Sequence, residues 1–365
     1  MVYGSAISSG RRPKASTSQR ELAADMRVLH FEVERARVLG AGGFAKVYAA
    51  HDYKTDAACA AKWLEKPTAR ADAQREAMIL AALQAEQSHP SIIKLLGAAE
   101  SGEWLFMELA TNGELFDLLI AKKAVCETTS RTVARGIAAG LAYCHSLGVA
   151  HRDVKLENVM LMADDPDAVK IVDFGLAVSL ARADDGAPQP KIFHDRAGSP
   201  SYRAPEILAG SGYQAPAADV WSLGVTLLTI LSGFFPFKEA SSNDWRFAQY
   251  ARAAADGTSA ADAVYQMHKR RHRLSAECVD FLDCLLAIDG EARVTMSAAA
   301  LHPWLRADYD ADESHGQAVI YRSIPGDDGH ADDAEMDADD GPPETAVRVE
   351  RQRACRDGVD GSPLA

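Results

Sequence analysis

Two carboxylates, an amide, a histidine and two permanent cations occupy eight consecutive positions in His151-Arg152-Asp153-Val154-Lys155-Leu156-Glu157-Asn158. Asp173-Phe174-Gly175 begins fifteen residues after Asn158, behind the apolar run Val169 to Val172. Hard oxygen donors and fixed cations of this kind suit chemistry on phosphate, which needs charge neutralisation and in-line placement more than covalent steps. Far upstream, Gly40-Ala41-Gly42-Gly43-Phe44-Ala45-Lys46-Val47 puts Gly40 and Gly42 one residue apart in a predicted turn. Without Cβ atoms, backbone amides there can approach phosphate oxygens, although glycine is equally the default residue of turns that need positive φ. The run is not a P-loop, because Ala45 stands where the last glycine is required and Val47 follows the lysine. A dinucleotide fold would need a helix next, and a strand pattern follows instead. Ala60-Ala61-Lys62 ends an apolar strand about fifteen residues beyond Val47, and Glu76 comes next on a predicted helix. A lone strand lysine is usually a solvated edge. One that bridges phosphates must be held, and a carboxylate on a facing helix holds it by ion pairing.

The elements that must position these groups fall into two blocks. Short apolar runs broken by glycines from Phe31 to Ala61 predict a hairpin and a third strand. The period changes over 70 to 86, where Ala73, Ala77, Leu80 and Leu83 share a helical face. Strand patterns return at Ile92 to Leu96 and Trp104 to Leu109, and after Asn112-Gly113 the chain becomes helical, with apolar-periodic stretches at 115 to 147, 218 to 233 and 275 to 288. The fold class is therefore α+β, a β-rich segment of about 80 residues followed by a helical one of nearly 200.

These motifs and their order resemble the eukaryotic protein serine/threonine kinase family over residues 28–305. The glycine run, Lys62, Glu76, the 151–158 loop, Asp173-Phe174-Gly175 and Ala204-Pro205-Glu206 all occur in the family's sequence. The resemblance implies a bilobal kinase fold, with an N-lobe over 28–109 carrying one key helix, a hinge over 108–113 and a larger helical C-lobe over 114–305. It implies transfer of the γ-phosphate of ATP to Ser or Thr of protein substrates, with Mg²⁺. Lys62 would contact the α- and β-phosphates with Glu76 fixing it, Asp173 and Asn158 would coordinate Mg²⁺, and Asp153 would orient the substrate hydroxyl. Lys155 would steady the γ-phosphate and marks the Ser/Thr subclass rather than the tyrosine one. Gly40 and Gly42 would cover the phosphates, Met107 would be the gatekeeper, and the backbones of Glu108 and Ala110 would bind adenine. Val47, Ala60 and Met160 would sandwich the ring, although each could be core packing alone. Asp219 would brace the catalytic loop, and Arg293 would pair with Glu206.

Several positions speak to subclass and regulation. Glu114 and Glu157 match acidic positions that read an arginine upstream of the acceptor, and with Gly198-Ser199-Pro200-Ser201-Tyr202 they make the chain most like the calcium/calmodulin-dependent and AMP-activated kinase group. Ala45 replaces the third glycine of the loop, and the spacing from Lys62 to Glu76 is short for the family, which puts the choice of glutamate in question. Arg152 in this family pairs with a phosphorylated threonine of the activation segment; that position here holds Asp195, so activity without activation-segment phosphorylation is expected. Ser199 resembles a residue that hydrogen-bonds Asp153 and Lys155. A pseudokinase scaffold would lack at least one of Lys62, Asp153, Asn158 and Asp173, and a small-molecule phosphotransferase would lack Ala204-Pro205-Glu206 and Lys155; all are present.

Composition bounds the rest. The net charge is −13, and residues 306–365 hold 16 acidic and 6 basic residues, a balance of −10 that leaves −3 for residues 1–305. That distribution argues against nucleic acid as the main partner, and the short basic run Lys269, Arg270, Arg271 and Arg273 is expected to be a solvated helix end. Residues 1–27 read as a flexible lead-in and 306–365 as an acidic disordered tail. No run of eighteen apolar residues or signal-peptide pattern occurs, which predicts no membrane partner and a cytoplasmic or nuclear location. The six cysteines lack CxxC spacing and are expected to be reduced core thiols, and a monomer is the default.

Overall fold

The computed structural model describes residues 26–307, apart from 43–44, 67–69, 86, 164, 166–167 and 184–185. The lead-in through residue 25 and the acidic segment from 308 lie outside the described residues. Strands β1 (Met26–Val28), β2 (Phe31–Ala41), β3 (Lys46–Asp52), β4 (Ala57–Trp63), β5 (Leu95–Ala98) and β6 (Trp104–Glu108) make one antiparallel sheet, ordered β1-β2-β3-β4-β6-β5. It begins at Met26, two residues before the boundary expected at 28, because Met26 and Val28 pair with Val33 and Phe31 and cover the outer edge of β2.

Side-chain alternation along these strands sorts the sheet's two faces. Tyr48 and Ala50 of β3, Cys59 and Ala61 of β4, and Trp104 and Phe106 of β6 join Phe31 and Val33 in one buried cluster. The residues between them, Val47, Ala60, Lys62 and Met107, are thereby turned to the opposite face. Val47 lies across from Lys62, and Ala60 across from Met107. Helix α1 (Arg70–Leu83) covers part of that face, with Ala73 packed against Leu64 and Leu105.

The run Ile92 to Leu96, expected as one strand, is divided. The strand proper starts at Leu95, while Ile92 bridges Ile171 and Ile93 donates to the Ile171 carbonyl at 3.0 Å. Two apolar pairs on either side of Lys94 are too short to carry a period, so the sequence does not reveal that the first pair is buried by the other lobe. That lobe contains α2 (Leu115–Lys122), α3 (Glu127–Ser146), β7 (Val149–Ala150), β8 (Val159–Leu161), β9 (Val169–Ile171), β10 (Val178–Ser179), β11 (Ile192–Phe193), α4 (Pro205–Ala209), β12 (Tyr213–Gln214), α5 (Ala215–Ser232), α6 (Trp245–Ala255), α7 (Ala260–Met267), α8 (Ala276–Leu285), α9 (Met296–Ala299) and α10 (Pro303–Arg306). The helical stretch expected over 115 to 147 is two helices, because Lys123 takes φ 64° and ends α2. Helix α5 is long and apolar all round, with Asp219 its one charge, and it is buried on nearly every side as the lobe's central helix.

Close packing fixes the strand that leads into Asp173. A Cβ on Gly136 of α3 would lie 2.5 Å from Val169 Cγ2, and one on Gly140 would lie 2.9 Å from Ile171 Cδ1. Only glycine lets α3 lie this close to β9. The core on this side is continuous from Ile79, Leu80 and Leu83 of α1 through Met107 to the helices of the second lobe.

Candidate active site

Lys62 extends from the end of β4 on the cleft face, and the inner face of α1 brings Glu76 to meet it. Its ammonium donates to Glu76 Oε1 at 2.8 Å and Oε2 at 2.7 Å, and to Asp173 Oδ1 at 2.7 Å. The Lys62 side chain is 11% exposed and Glu76 2%, whereas Asp173 is 48% exposed and opens to the cleft. Burial alone would lower the lysine's pKa, but Glu76 and Asp173 together raise it. Lys62, opposed by burial, holds the Asp173 carboxyl down at about 2. Burial pushes Glu76 up, Lys62 opposes that, and Asp173 adds to the push. With two hydrogen bonds from a firmly charged ammonium, Glu76 is a carboxylate at neutral pH. One cation thus serves two carboxylates.

The catalytic-loop stretch is anchored from below. Asp219 of α5 accepts the His151 N–H at 2.8 Å and the Arg152 N–H at 2.7 Å. Those bonds hold Arg152 at φ 66°, a left-handed conformation that costs a non-glycine residue about 1 kcal/mol or more. Asp173 also takes a left-handed φ, 62°. The Asp153 carboxylate receives the Ser199 N–H at 2.8 Å and hydroxyl at 2.9 Å on Oδ1, and Lys155 at 2.8 Å and Asn158 Nδ2 at 3.1 Å on Oδ2. Lys155 also donates to Ser199 Oγ at 2.9 Å. Burial would lower the Lys155 pKa, and Asp153 outweighs it to raise the value. A Cβ on Gly198, at φ 91°, would stand 2.6 Å from the Arg152 carbonyl, so glycine is required for this close approach.

Sequence reasoning gave His145 and His151 no role. His145 Nε2 lies 2.9 Å from Asp219 Oδ2 and supports the brace. His151 Nε2 lies 3.0 Å from the Val172 carbonyl, its Nδ1 accepts the Asp153 N–H at 3.2 Å, and its ring meets buried Phe174 edge-on at 4.7 Å. This single ring ties the Asp153 loop to the segment carrying Asp173, with Val172 N–H to Asn158 O at 3.0 Å alongside it. His145 follows Ile137 and Leu141 along the buried face of α3, where a ring reads as packing, and His151 lies in a loop without a period, so only the folded chain exposes the connection.

Arg152 turns away from Asp153. Its Nη1 donates to Asp195 Oδ1 at 3.0 Å and Oδ2 at 2.8 Å, its Nε donates to the Leu176 carbonyl at 2.8 Å, and its guanidinium lies 5.3 Å from the Phe193 ring centre. The Tyr213 hydroxyl donates to Asp195 Oδ1 at 2.8 Å. Partial burial works against the charge on Asp195, and the bonds from Tyr213 and Arg152 outweigh it, so its pKa is lowered. Burial and the Asp195 bond push Tyr213 up to about 12, which keeps it a donor. Tyr213 was not foreseen, because the two-residue β12 that sets it opposite Phe193 of β11 has no period to read.

Around the cleft, Val47 and Met160 are half-buried and Ala60 and Met107 buried. Glu108 at the end of β6 donates its N–H to Lys94 O at 3.0 Å and pairs with Lys170 at 2.7 Å. Ala110 has no hydrogen-bonded partner among the described residues, which leaves its backbone groups free at the hinge. Gly40 pairs with Val47, and Gly42 N–H reaches Ala45 O at 2.9 Å; Gly43 and Phe44 lie outside the described residues. Glu114, beside Met160, precedes α2, and Glu157 is exposed on the short turn Leu156–Asn158. The donor set suits a hard cation. Asp173 and Glu76 exceed Lys62 in charge, and the Asn158 amide nitrogen is committed to Asp153 O at 2.8 Å and Oδ2, which turns its carbonyl oxygen outward.

Away from the cleft, Cys59, Cys144 and Cys278 are buried thiols, and Cys284 gathers with Asp280 and His302. His302 Nδ1 accepts the Trp304 N–H at 3.2 Å while Nε2 lies 3.2 Å from Asp280 Oδ2, so neither ring nitrogen keeps a lone pair for a metal. Arg293, at 0% side-chain exposure, grips Glu206 at 2.7 and 3.1 Å and fixes the end of the activation segment.

The protein kinase domain family matches residues 33–305. CBL-interacting serine/threonine-protein kinase 17 of Arabidopsis thaliana is 39% identical over 224 residues, 59% of this chain and 49% of that protein. Serine/threonine-protein kinase RAD53 of Saccharomyces cerevisiae is 32% identical over 293 residues, 76% of this chain and 34% of that protein. The maternal embryonic leucine zipper kinase of Danio rerio is 33% identical over 282 residues, 77% of this chain and 38% of that protein. The chain spans about half the length, or less, of these curated relatives. Members of the family use ATP and Mg²⁺. The matched span holds both carboxylate clusters, the hinge and the Arg293–Glu206 brace, and the chain belongs to the protein kinase family.

Proposed function

We propose that the chain is an ATP-dependent protein serine/threonine kinase. The observation that carries this reading is the convergence of two sets on one cleft. Lys62, Glu76 and Asp173 form one, and Asp153, Lys155, Asn158 and Ser199 the other, joined through His151 and Val172. In this reading Lys62 binds the α- and β-phosphates and Glu76 keeps it in place. Asp173 and Asn158 hold Mg²⁺, which when bound neutralises phosphate charge. Asp153 takes the acceptor hydroxyl as a hydrogen-bond donor, and Lys155 offsets charge on the transferred group. Val47, Ala60, Met107 and Met160 enclose the adenine, and the backbones of Glu108 and Ala110 meet its polar edge.

Glu114 and Glu157 bind an arginine upstream of the acceptor, which makes the enzyme basophilic. Asp195 supplies to Arg152 the negative charge that a phosphothreonine would otherwise provide, so activation-segment phosphorylation is dispensable. The bidentate contact with Arg152 and the Tyr213 bond support that reading. The test is Mg-ATP turnover on a positional peptide library, with Asp153→Asn as the blank. Phosphate on Ser or Thr peptides with basic residues upstream is expected. Transfer no greater than the blank's would sink the kinase reading, and preference for acidic residues upstream would sink only the basophilic part.

A further inference from the structure

One corner of the helical lobe concentrates exposed cations around the point where the described chain ends. Glu127, at the start of α3, is its hub. Glu127 accepts the Ser275 hydroxyl at 2.6 Å and the Trp304 indole N–H at 2.8 Å on the same oxygen, and Arg131 pairs with it at 3.2 Å. These contacts fasten three stretches of chain together, and each carries cations within a few residues. Lys122 and Lys123 precede Glu127, Lys269, Arg271 and Arg273 precede Ser275, and Arg306 follows Trp304. All six are exposed, and none forms an ion pair or hydrogen bond through its side chain among the described residues. Glu127 is paired as above; Asp262, beside His272 at 3.1 Å, Asp280, beside His302 at 3.2 Å, and Glu277 in the first turn of α8 are exposed acids nearby, and the six cations outnumber these three.

Six like charges gathered by the fold repel one another, and an anionic segment beside them relieves that repulsion. The chain itself carries such a segment. Residues 327–344 contain nine Asp and Glu and no Lys or Arg. Ala307 leaves the hub three residues past Trp304, and the twenty residues from there to Asp327 can reach up to about 70 Å, so the tether spans the distance. A tethered segment also meets its site at a local concentration near the millimolar range, so modest contacts suffice.

We infer that the acidic segment 327–344 docks on the cationic corner formed by Lys122, Lys123, Lys269, Arg271, Arg273 and Arg306. The run Lys269 to Arg273, which sequence alone reads as a solvated helix end, is then an intramolecular docking surface. The contact is electrostatic and strengthens as salt is lowered.

Carbodiimide cross-linking of the full chain, with the joined peptides mapped by mass spectrometry, tests this, because the reagent couples carboxylates only to lysines in contact. Links from 327–344 to Lys122, Lys123 or Lys269 are expected at least about tenfold above links to exposed Lys54 and Lys94 in the other lobe, falling about fivefold or more as salt rises from about 0.05 to 0.5 M. R271E/R273E/R306E keeps the lysine reporters and removes the attraction, so those links should fall to the Lys54 level. If that variant shows a lost fold by circular dichroism, R271Q/R273Q/R306Q gives the same comparison with a smaller drop. Links spread evenly over all lysines, links that persist in both variants, or links between molecules that rise with protein concentration would each overturn the inference.

Discussion

Lys62 and Arg152 each gather carboxylates, but their charge balances differ. Lys62 faces Glu76 and Asp173, one cation against two anions, and the second anion is half open to the cleft. Arg152 faces Asp195 alone, and Tyr213 completes the carboxylate's bonding. The first cluster has surplus negative charge and so calls for a further cation. The second is neutral, because Arg152 matches the single charge of Asp195, although that carboxylate is itself 54% exposed. Both are anchored on the same loop and the same Asp173-Phe174-Gly175 segment, through His151 in one case and through the Leu176 carbonyl in the other. The sharpest way to break the contrast is to remove the surplus. Asp173→Asn leaves Lys62 balanced by Glu76 and takes away a hard ligand, so kcat should fall by roughly a thousandfold or more in ATP turnover. Retained activity would show that the open carboxylate is not what the cleft uses.

Glu76→Gln tests the other partner. It removes the buried anion and leaves Lys62 to Asp173, which draws the ammonium toward the cleft floor. A fall of about 10- to 100-fold in kcat is expected with the fold intact, as for groups that hold a reacting residue in place. Unchanged kcat would mean that Asp173 alone keeps Lys62 in place.

Asp195→Ala probes the neutral cluster and should matter less. Enzyme free of phosphate should lose about five- to fiftyfold in kcat, since Arg152 is left half-buried without its counter-ion. Fully retained activity would remove Asp195 from regulation. The pH dependence has a definite sign. The folded pKa of Asp195 is depressed, so its stabilisation is complete above the unfolded value of about 3.9 and is lost as pH falls through the folded one. The thermal midpoints of wild type and Asp195→Asn should therefore differ at neutral pH and converge in acid; a gap that is constant with pH would mean that Asp195 charge is not involved.

The two clusters were unequally legible in the sequence. Asp153, Asn158, Asp173, Lys62 and Glu76 stand out because their chemistry is rare in that spacing, and the sheet's two-residue alternation sets Lys62 on the face of Ala60. Asp195 could be counted back from Gly198, but Tyr213 and Phe193 could not be joined to it, since two-residue strands leave no pattern. His145 and His151 escaped for another reason. Their work is to link loops through backbone carbonyls and a buried aspartate, which depends on tertiary placement and not on residue spacing. The division of Ile92 to Leu96 between two lobes is the same failure in apolar form.

The smallest expected effect comes from a residue in neither cluster. Gly136 lets α3 approach β9, and β9 runs directly into Val172 and Asp173. In Gly136→Ala the new methyl must displace Val169, since 2.5 Å is too short for any contact between carbon atoms. Overpacking of this kind costs about 1–3 kcal/mol, and the better helix propensity of alanine returns about 1 kcal/mol, leaving a net loss of about 0–2 kcal/mol in denaturant unfolding. Displacement of β9 should reach Asp173 before it reaches Asp195, which is tied to Tyr213 and Arg152. The variant should therefore raise the Mg²⁺ requirement a few-fold while leaving independence from activation-segment phosphate unchanged. If both properties shifted together, the clusters would be one coupled unit and the contrast between them would fail.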